Sequence, residues 1–333
     1  MSAENYPKIT VQVLGYKHRA YLEKCFKSIL TQDYPNFELV FIDNNSSDGS
    51  EEFARQFDSR IQVIQTGANT GYSGGHNIGI KQTESDFISF VNPDLEMEPN
   101  FFSEMIKPML RDEKIAGVQA KLVRPEPVNG KKILDGTGLV INHSRAISDK
   151  GQLEEDNGQY DIPGEVFALN GSCPLYRRLA LKDAEIEGEV LDEDLFAYYD
   201  DSDLGWRLRN FGWKLWYQPT AIAYHERAIG KTKGGLLALI KHRQNMSFFG
   251  KKLSFKNWIF LILKNDFGWP FVRDLPFILK RFLFIFIFTL IFDARVLSIL
   301  PTFFKQLPRI WYKRKIVKSR RKLSSKEFDK WLK

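Results

Sequence analysis

Three polar clusters interrupt an otherwise apolar first hundred residues. They are Asp43, the glycine- and asparagine-rich stretch Gly67–Gly75, and Asn92-Pro93-Asp94. A carboxylate in such a place can accept hydrogen bonds from a ligand's N–H and O–H groups, or hold a hard cation. Glycines let backbone approach a ligand closely, and the start of a following helix favours an anion. Further on, LDEDLFAYYDDSDLGWRLRNFGW (191–213) concentrates acids among aromatics and includes the adjacent pair Asp200-Asp201. HERAIGKT (225–232) imitates a phosphate-binding loop. Its first glycine is replaced by His225 and no clear helix follows directly, so a P-loop ATPase is rejected.

The elements that must carry these residues alternate. Ile9–Leu14, Glu38–Ile42, Ile61–Ile64 and Phe87–Val91 read as short buried strands. Helical spacing is seen in Ala20–Leu30, in Glu51–Phe57, through Ile78 and Ile80, and after Pro99. Strand–helix alternation of this kind implies a doubly wound α/β fold with a mostly parallel sheet. Ligands bind such sheets beyond the carboxyl ends of the strands, which is where Asp43, the 67–75 stretch and Asp94 fall. Turn chemistry alone also favours Asp, Asn and Gly, so it is the convergence of three clusters on one rim that argues for a site. Gly136–Ile141, Val166–Leu169, Lys214–Tyr217 and Ala221–Tyr224 read as further strands, Lys150–Gly164 as a loop, and Asp201–Asn210 as a helix stopped near Gly212.

The charge is divided unequally. Residues 1–226 carry 36 acidic and 23 basic side chains, whereas residues 227–333 carry 5 and 25, within a 333-residue chain of net charge +7. A C-terminal third this basic is expected to meet an anion, either lipid headgroups or nucleic acid. Its apolar runs Trp258–Leu263, Phe267–Val272 and Phe282–Phe292 are separated by basic residues. The longest uncharged run, 11 residues, would extend about 17 Å as a helix, too short for a ~30 Å hydrocarbon core. Clustered aromatics such as FLFIFIF favour helices lying in a lipid interface over nucleic acid, with a packed helical subdomain or an oligomer interface as a further reading. Cys25 and Cys173 exclude a disulfide scaffold and a cysteine zinc site, and fit a reducing compartment. The N-terminal MSAENYPKIT has no signal-peptide pattern, so a cytoplasmic bulk is expected.

The blocks VLGYKHRAYLEKCFKSILTQDYPNFELVFIDNNSSDGS, NTGYSGGHNIGI, FISFVNPD, NGSCPLYRR and DEDLFAYYDDSDLGWRLRNFGW…AYHE, in this order, resemble glycosyltransferase family 2. These are inverting enzymes of the GT-A fold, and the rhamnosyltransferase-like branch is the nearest in look. The likeness runs over about residues 8–245. It implies a GT-A nucleotide-sugar-binding and catalytic domain over 1–233 and a helical, membrane-associating region over 234–333. Asp43, Asn45, Asn69, Gly71, Gly74, Gly75, Asn77, Asn92 and Asp94 would then bind the donor. Asn45 is equally suited to shaping the turn, and Gly171-Ser172 to shaping backbone on the acceptor side. Asp94, with Asn92 in place of the first aspartate of an Asp-X-Asp motif, and His225 would hold Mn2+ or Mg2+. Asp201, supported by Asp200, would be the general base. Arg227, Lys231 and Lys233 would either close over the diphosphate or form a solvated loop.

The activity so implied is inverting transfer of a sugar from a nucleoside-diphosphate donor to a lipid-linked or polysaccharide acceptor in bacterial surface-polysaccharide assembly. dTDP-rhamnose leads the donors, with UDP-galactofuranose, UDP-glucose and UDP-GlcNAc as alternatives. The expected location is the inner face of the cell membrane, peripherally bound to anionic lipid, without nucleic acid and with oligomer formation open. One rival, a dinucleotide-dependent oxidoreductase, needs a glycine-rich turn after the first strand, where LGYKHR (14–19) stands instead. Another is a non-catalytic membrane or nucleic-acid-binding protein on a degenerate transferase fold, against which Asp94, Asp201 and His225 argue.

Overall fold

The computed structural model describes residues 6–226 and 246–333. The proposed boundary at 233/234 and the cations Arg227, Lys231 and Lys233 lie outside the described residues. The first half alternates as its pattern implies: β1 (Ile9–Gly15), α1 (Leu22–Leu30), β2 (Phe37–Asp43), α2 (Ser50–Phe57), β3 (Ile61–Gln65), α3 (Gly71–Gln82), β4 (Phe87–Val91), β5 (Leu95–Met97), α4 (Phe101–Arg111) and β6 (Ile115–Val123). The irregular middle holds β7 (Leu134–Gly136), β8 (Leu139–Ile141), β9 (Ile147–Asp149), β10 (Gly164–Glu165), β11 (Leu175–Arg177) and α5 (Arg178–Ala184). α6 (Asp200–Asn210) and β12 (Lys214–His225) follow.

The main sheet runs β10-β12-β6-β11-β4-β1-β2-β3, with β5 on β12 and β7 on β6. β1 pairs in parallel with β2 and β4, β2 with β3, and β12 with β6. β11 is antiparallel to both β4 and β6. Two antiparallel pairings restore the direction, so β6 and β12 point the same way as β1–β4. The carboxyl ends of β2, β4 and β12, bearing Asp43, Asn92–Asp94 and His225, therefore share one rim. β1, β4 and β6 are buried along their whole length, as strands covered by helices on both faces must be. One apolar layer gathers Cys25, Phe26, Ile29, Phe101, Phe102 and Met105 against one face; the other gathers Ala180, Leu181, Leu204 and Leu208.

Several boundaries differ from the sequence pattern. Gly138, at φ 108°, divides the expected strand Gly136–Ile141 into β7 and β8. Val166–Leu169 is not a strand; only Ala168 makes a bridge, to Leu139. Lys214–Tyr217 and Ala221–Tyr224 are one strand whose register shifts between Gln218 and Ile222.

The C-terminal third corrects the sequence picture most. Its short apolar pieces belong to longer helices, α7 (Phe248–Asn265), α8 (Trp269–Phe292) and α9 (Leu300–Arg320). A 3-10 turn (Ala294–Ile299) and a final short helix, α10 (Ser325–Asp329), complete it. Charges do not break α8, because Asp274 turns inward onto the buried Arg145, at 2.8 Å, and helical periodicity continues past Lys280 and Arg281. At 24 residues, α8 is long and apolar enough to cross a membrane by length and composition. One of its faces packs on α7, through Ile278, Phe282 and Ile285 against Trp258 and Ile262.

α7 and α9 are clamped onto the acidic segment 187–203 by buried ion pairs. Lys264 bridges Asp192 and Asp203 (2.8 Å to the latter), and Lys313 bridges Glu189, Asp192 and Asp194. Burial alone would raise the Asp192 carboxyl, but Lys264 and Lys313 hold it well below its ordinary range. Removing one member of a buried pair leaves the other charged and dry, at a cost of about 3–5 kcal/mol. Lys264→Met is therefore expected to lose about 3–5 kcal/mol in guanidinium unfolding. A loss no larger than that of a surface lysine would show that the bridge carries no weight.

Candidate functional site

Asp43 ends β2 but is fully enclosed. Its carboxylate accepts the Ser46 N–H at 3.2 Å and the Gln65 amide at 2.6 Å. A ligand can reach it only if Gln65, its neighbour in register on β3, swings aside. Asn45 is exposed in a left-handed conformation, φ 63°, at the tip of the turn. The organising residue there is instead Asn44, which the motif reading passed over. Its buried amide donates to Asn69 (3.1 Å) and the Gly71 carbonyl (3.0 Å), and its oxygen accepts the Thr70 N–H (2.9 Å). Asn44 thus ties the β2 turn to the start of α3.

The expected donor loop through Asn77 needs correction. α3 begins at Gly71, so Gly71, Gly74, Gly75 and Asn77 are helical, and only Asn69 remains in the loop. A Cβ at Gly75 would strike Leu14 on β1, and one at Gly74 would strike Thr70. Gly75 thus lets α3 lie close to the sheet, while Gly74 leaves room for Thr70 at the start of the helix. Asn77 is buried and spent on the chain itself: it donates to the Leu191 carbonyl at 2.8 Å and accepts the Leu191 N–H at 3.0 Å. The start of α3 is not open to an anion either, since the Ser73 N–H bonds the Phe196 carbonyl at 3.2 Å. Gly71, at φ 72°, is where Phe196 presses closest.

Asp94 and His225 converge across the rim. His225 Nε2 lies 3.4 Å from Asp94 Oδ1, and Nδ1 lies 2.8 Å from the buried Asp135. Burial opposes an imidazolium here, but Asp135 and Asp94 together raise His225 to about 9. Asp94 Oδ1 and His225 Nε2 face each other as an oxygen and a nitrogen donor, a pair that suits a divalent cation once the ring gives up its proton. The outer carboxylate that fixes the far ring nitrogen is the usual support of a metal-bound histidine. Among the described residues, no group of three or more His, Cys, Asp or Glu side chains could hold a metal ion. Asp94 and His225 would therefore supply two ligands and leave the others to a bound diphosphate and water. Asn92 contributes backbone: its N–H donates to the Ser172 carbonyl at 2.8 Å.

Asp200 and Asp201 open α6 behind a cramped turn in which Phe196, Tyr198 and Tyr199 all have left-handed φ of 65–67°. Asp201 accepts the Gly171 N–H on Oδ2 at 3.1 Å and the Ser202 N–H on Oδ1 at 2.6 Å. Burial, and for Asp200 also the repulsion of Asp201, raises both carboxyls above their ordinary range. The turn 170–172 connects the parts. Tyr72 donates to the Gly171 carbonyl at 2.6 Å, and Asn170 accepts the Ser172 N–H at 2.8 Å. Gly171 thus holds the Asp201 carboxylate, while Ser172 holds the backbone leading into Asp94. Tyr72, Asp135 and Asn170 were missed in the sequence. Each acts through tertiary contact; Tyr72 and Asn170 lie inside the blocks NTGYSGGHNIGI and NGSCPLYRR, whereas nothing marked Asp135.

A ten-stranded sheet of this order, with polar residues gathered beyond parallel strand ends, defines a GT-A nucleotide-sugar transferase fold. Two solved structures agree: GalNAc-T7 with UDP, GalNAc and Mn2+ (TM-score 0.58, 13% identity, covering 78% of this chain and 49% of that one) and the mannosyltransferase PcManGT from Pyrobaculum calidifontis with GDP-Man and Mn2+ (0.52, 16%, 92% and 76%). The model of Glycosyl transferase family 2 matches residues 11–184, and the chain belongs to that family. GlyA of Streptococcus pneumoniae is 36% identical over 103 residues, which are 30% of this chain and 15% of the relative. The putative glycosyltransferase EpsH of Bacillus subtilis is 24% identical over 224 residues, 66% of this chain and 61% of the relative. The N-acetylglucosaminyl-diphospho-decaprenol L-rhamnosyltransferase of Mycobacterium tuberculosis is 26% identical over 270 residues, 72% and 83%.

The His225 triad has a direct test in metal-free protein. A histidine raised to about 9 stabilises the fold fully below its ordinary value of 6.5, and this is lost as pH rises through 9. Asp135→Asn is expected to bring His225 down toward 6.5, read by NMR titration of the ring. A histidine that still titrates near 9 would remove Asp135 from the account.

Proposed function

We propose that the protein is an inverting glycosyltransferase in which Asp201 is the general base. One observation carries this reading. The turn 170–172 holds the Asp201 carboxylate at Gly171 and, at Ser172, the backbone entering Asp94, so base and cation site are set by the same three residues. An acceptor hydroxyl loses its proton to Asp201 as its oxygen attacks the anomeric carbon from the side opposite the nucleotide, and the sugar is inverted. Burial keeps the Asp201 carboxylate more basic than a solvated one, which favours proton capture. Asp200, next to Asp201 at the start of α6, would support the acceptor. Asp43 takes a hydrogen bond from the nucleobase or ribose once Gln65 moves. Asp94 and His225 would hold Mn2+ or Mg2+, and the chemistry such an ion would supply is neutralisation of negative charge on a diphosphate leaving group. The Mn2+ in the two solved neighbours supports a divalent ion without favouring one over the other.

The donor read best is dTDP-rhamnose, and the acceptor a lipid-linked saccharide of bacterial polysaccharide assembly. The mycobacterial relative, whose name joins a decaprenyl diphosphate acceptor to L-rhamnose, supports both. UDP-linked sugars remain the alternatives. A lipid-borne acceptor calls for a membrane dock at the inner leaflet. The face of α8 turned away from α7 exposes Leu275, Leu279, Leu283, Ile287, Leu290 and Ile291. Because α8 also packs on α7, it is read as lying in the lipid interface rather than crossing it.

Asp201→Asn is expected to lower sugar transfer or donor hydrolysis by about a thousandfold. Titration calorimetry with dTDP or UDP and Mn2+ should show nearly unchanged binding. Asp200→Asn should keep the acid limb of the pH–rate profile, which belongs to Asp201 and falls at a pH above the ordinary carboxylate value. Substantial turnover by Asp201→Asn would reject the base assignment, and no nucleotide binding by the wild type would reject the transferase. The paired change Leu283→Asp and Ile287→Asp should weaken cosedimentation with anionic liposomes; unchanged binding would move the dock elsewhere.

A further inference from the structure

Asn257 lies in the middle of α7, fully buried, on the same face of the helix as Leu261 and Lys264. Its Nδ2 points at three backbone carbonyls at once: Leu195 at 2.8 Å, Ala197 at 2.8 Å and Tyr198 at 2.9 Å. An amide nitrogen has two hydrogens, so the third carbonyl is satisfied by sharing. These carbonyls converge because the turn that supplies them is unusual. Phe196, Tyr198 and Tyr199 are left-handed at φ 65°, 67° and 67°, a conformation in which the Cβ of an ordinary side chain crowds the backbone. Such a turn persists only when its surroundings hold it.

The turn ends where chemistry begins. Tyr199 is the N-cap of α6, and Asp200 and Asp201 are its first two residues. One turn into α6, Asp203 is gripped by the same face of α7, through Lys264 at 2.8 Å and Asn265 at 2.7 Å. α7 therefore contacts the backbone just before the carboxylate pair and the side chain just after it, and none of these hydrogen bonds goes to a carboxylate of the pair. The turn also reaches the donor side, through the Phe196 carbonyl on the Ser73 N–H.

We propose that Asn257 is a positioning residue for this transferase: by binding the left-handed turn 195–198 it sets the direction in which Asp201 leaves the start of α6. This rests on the reading of Asp201 as the base. It makes the C-terminal helices part of the working site, since the residue that aims the base stands on α7. The amide orientation follows from the same contacts, as the opposite flip would point Oδ1 at three carbonyl oxygens.

The test uses the full-length protein and the nucleoside-diphosphate sugar that the wild type hydrolyses in a screen of dTDP-rhamnose and the UDP sugars. Asn257→Leu keeps the volume and removes the donor; Asn257→Ser keeps one donor on a shorter arm. For Asn257→Leu, kcat should fall at least thirtyfold, while the affinity for dTDP or UDP with Mn2+ stays within about threefold of wild type. Asn257→Ser should recover part of kcat and also serves if the leucine variant does not fold. A merely structural role would lower nucleotide affinity and kcat together, with serine no better than leucine, and that result overturns the proposal. Unchanged kcat in both variants also overturns it. Asp201→Asn, assayed alongside, separates the two failures: if it still turns over, the base assignment falls; if it is inactive while Asn257→Leu is unimpaired, only the positioning role falls. A wild type that hydrolyses no donor removes both.

Discussion

The structure depends on neutralising one acidic segment. Between residues 187 and 203 the chain places eight carboxylates, and Asp192, Asp194 and Asp203 are buried. No fold can bury that many anions without cations to meet them. The cations come from the C-terminal helices: Lys264 from α7, and Arg309 and Lys313 from α9, the arginine reaching Glu187, Glu189 and Asp194. The unequal division of charge along the sequence is thus, in large part, an internal contract between the two portions.

That neutralisation is selective. The first turn of α6 carries Asp200, Asp201 and Asp203, three carboxylates within four residues. Asp203 receives Arg207, Lys264 and Asn265. Among the described residues, Asp201 receives only neutral donors, the N–H groups of Gly171 and Ser202 and the Ser202 hydroxyl. A carboxylate fixed by a cation is a poor proton acceptor, whereas one that is buried and held by neutral donors stays basic. A shift of two residues along one helix separates the two environments.

The parallel sheet and its rim were legible because strand patterns, prolines and turn residues are local signals. Ordered motifs also singled out Asp94, His225 and the Asp200-Asp201 pair, and the structure brings the first two together. Two kinds of feature were not legible. Glycines look the same in sequence whether they open a loop to a ligand or let a helix touch a sheet, so the start of α3 was misplaced, and with it Gly74, Gly75 and Asn77. Long-range partners such as Asp135, 90 residues from His225, leave no local trace. The antiparallel β11 escaped for a related reason: at three residues it is defined by its neighbours. The helix α8 was cut short because charge was taken as a break, although Asp274 is an inward-facing partner of Arg145.

The cations that remain outside the internal pairs give the tail its second surface. On α9, Lys313 is buried against the acids, while Lys305, Lys315 and Lys318 are exposed, and the exposed Trp311 and Tyr312 lie between them. Lys280 and Arg295 are likewise exposed beside the apolar outer face of α8. A helix that turns Lys313 inward must turn residues two positions on by about 200°, to the opposite side, so one basic run can serve both the protein interior and an anionic surface. On α9 the cation that meets the acidic segment and the cations that face outward therefore stand on opposite faces of one helix.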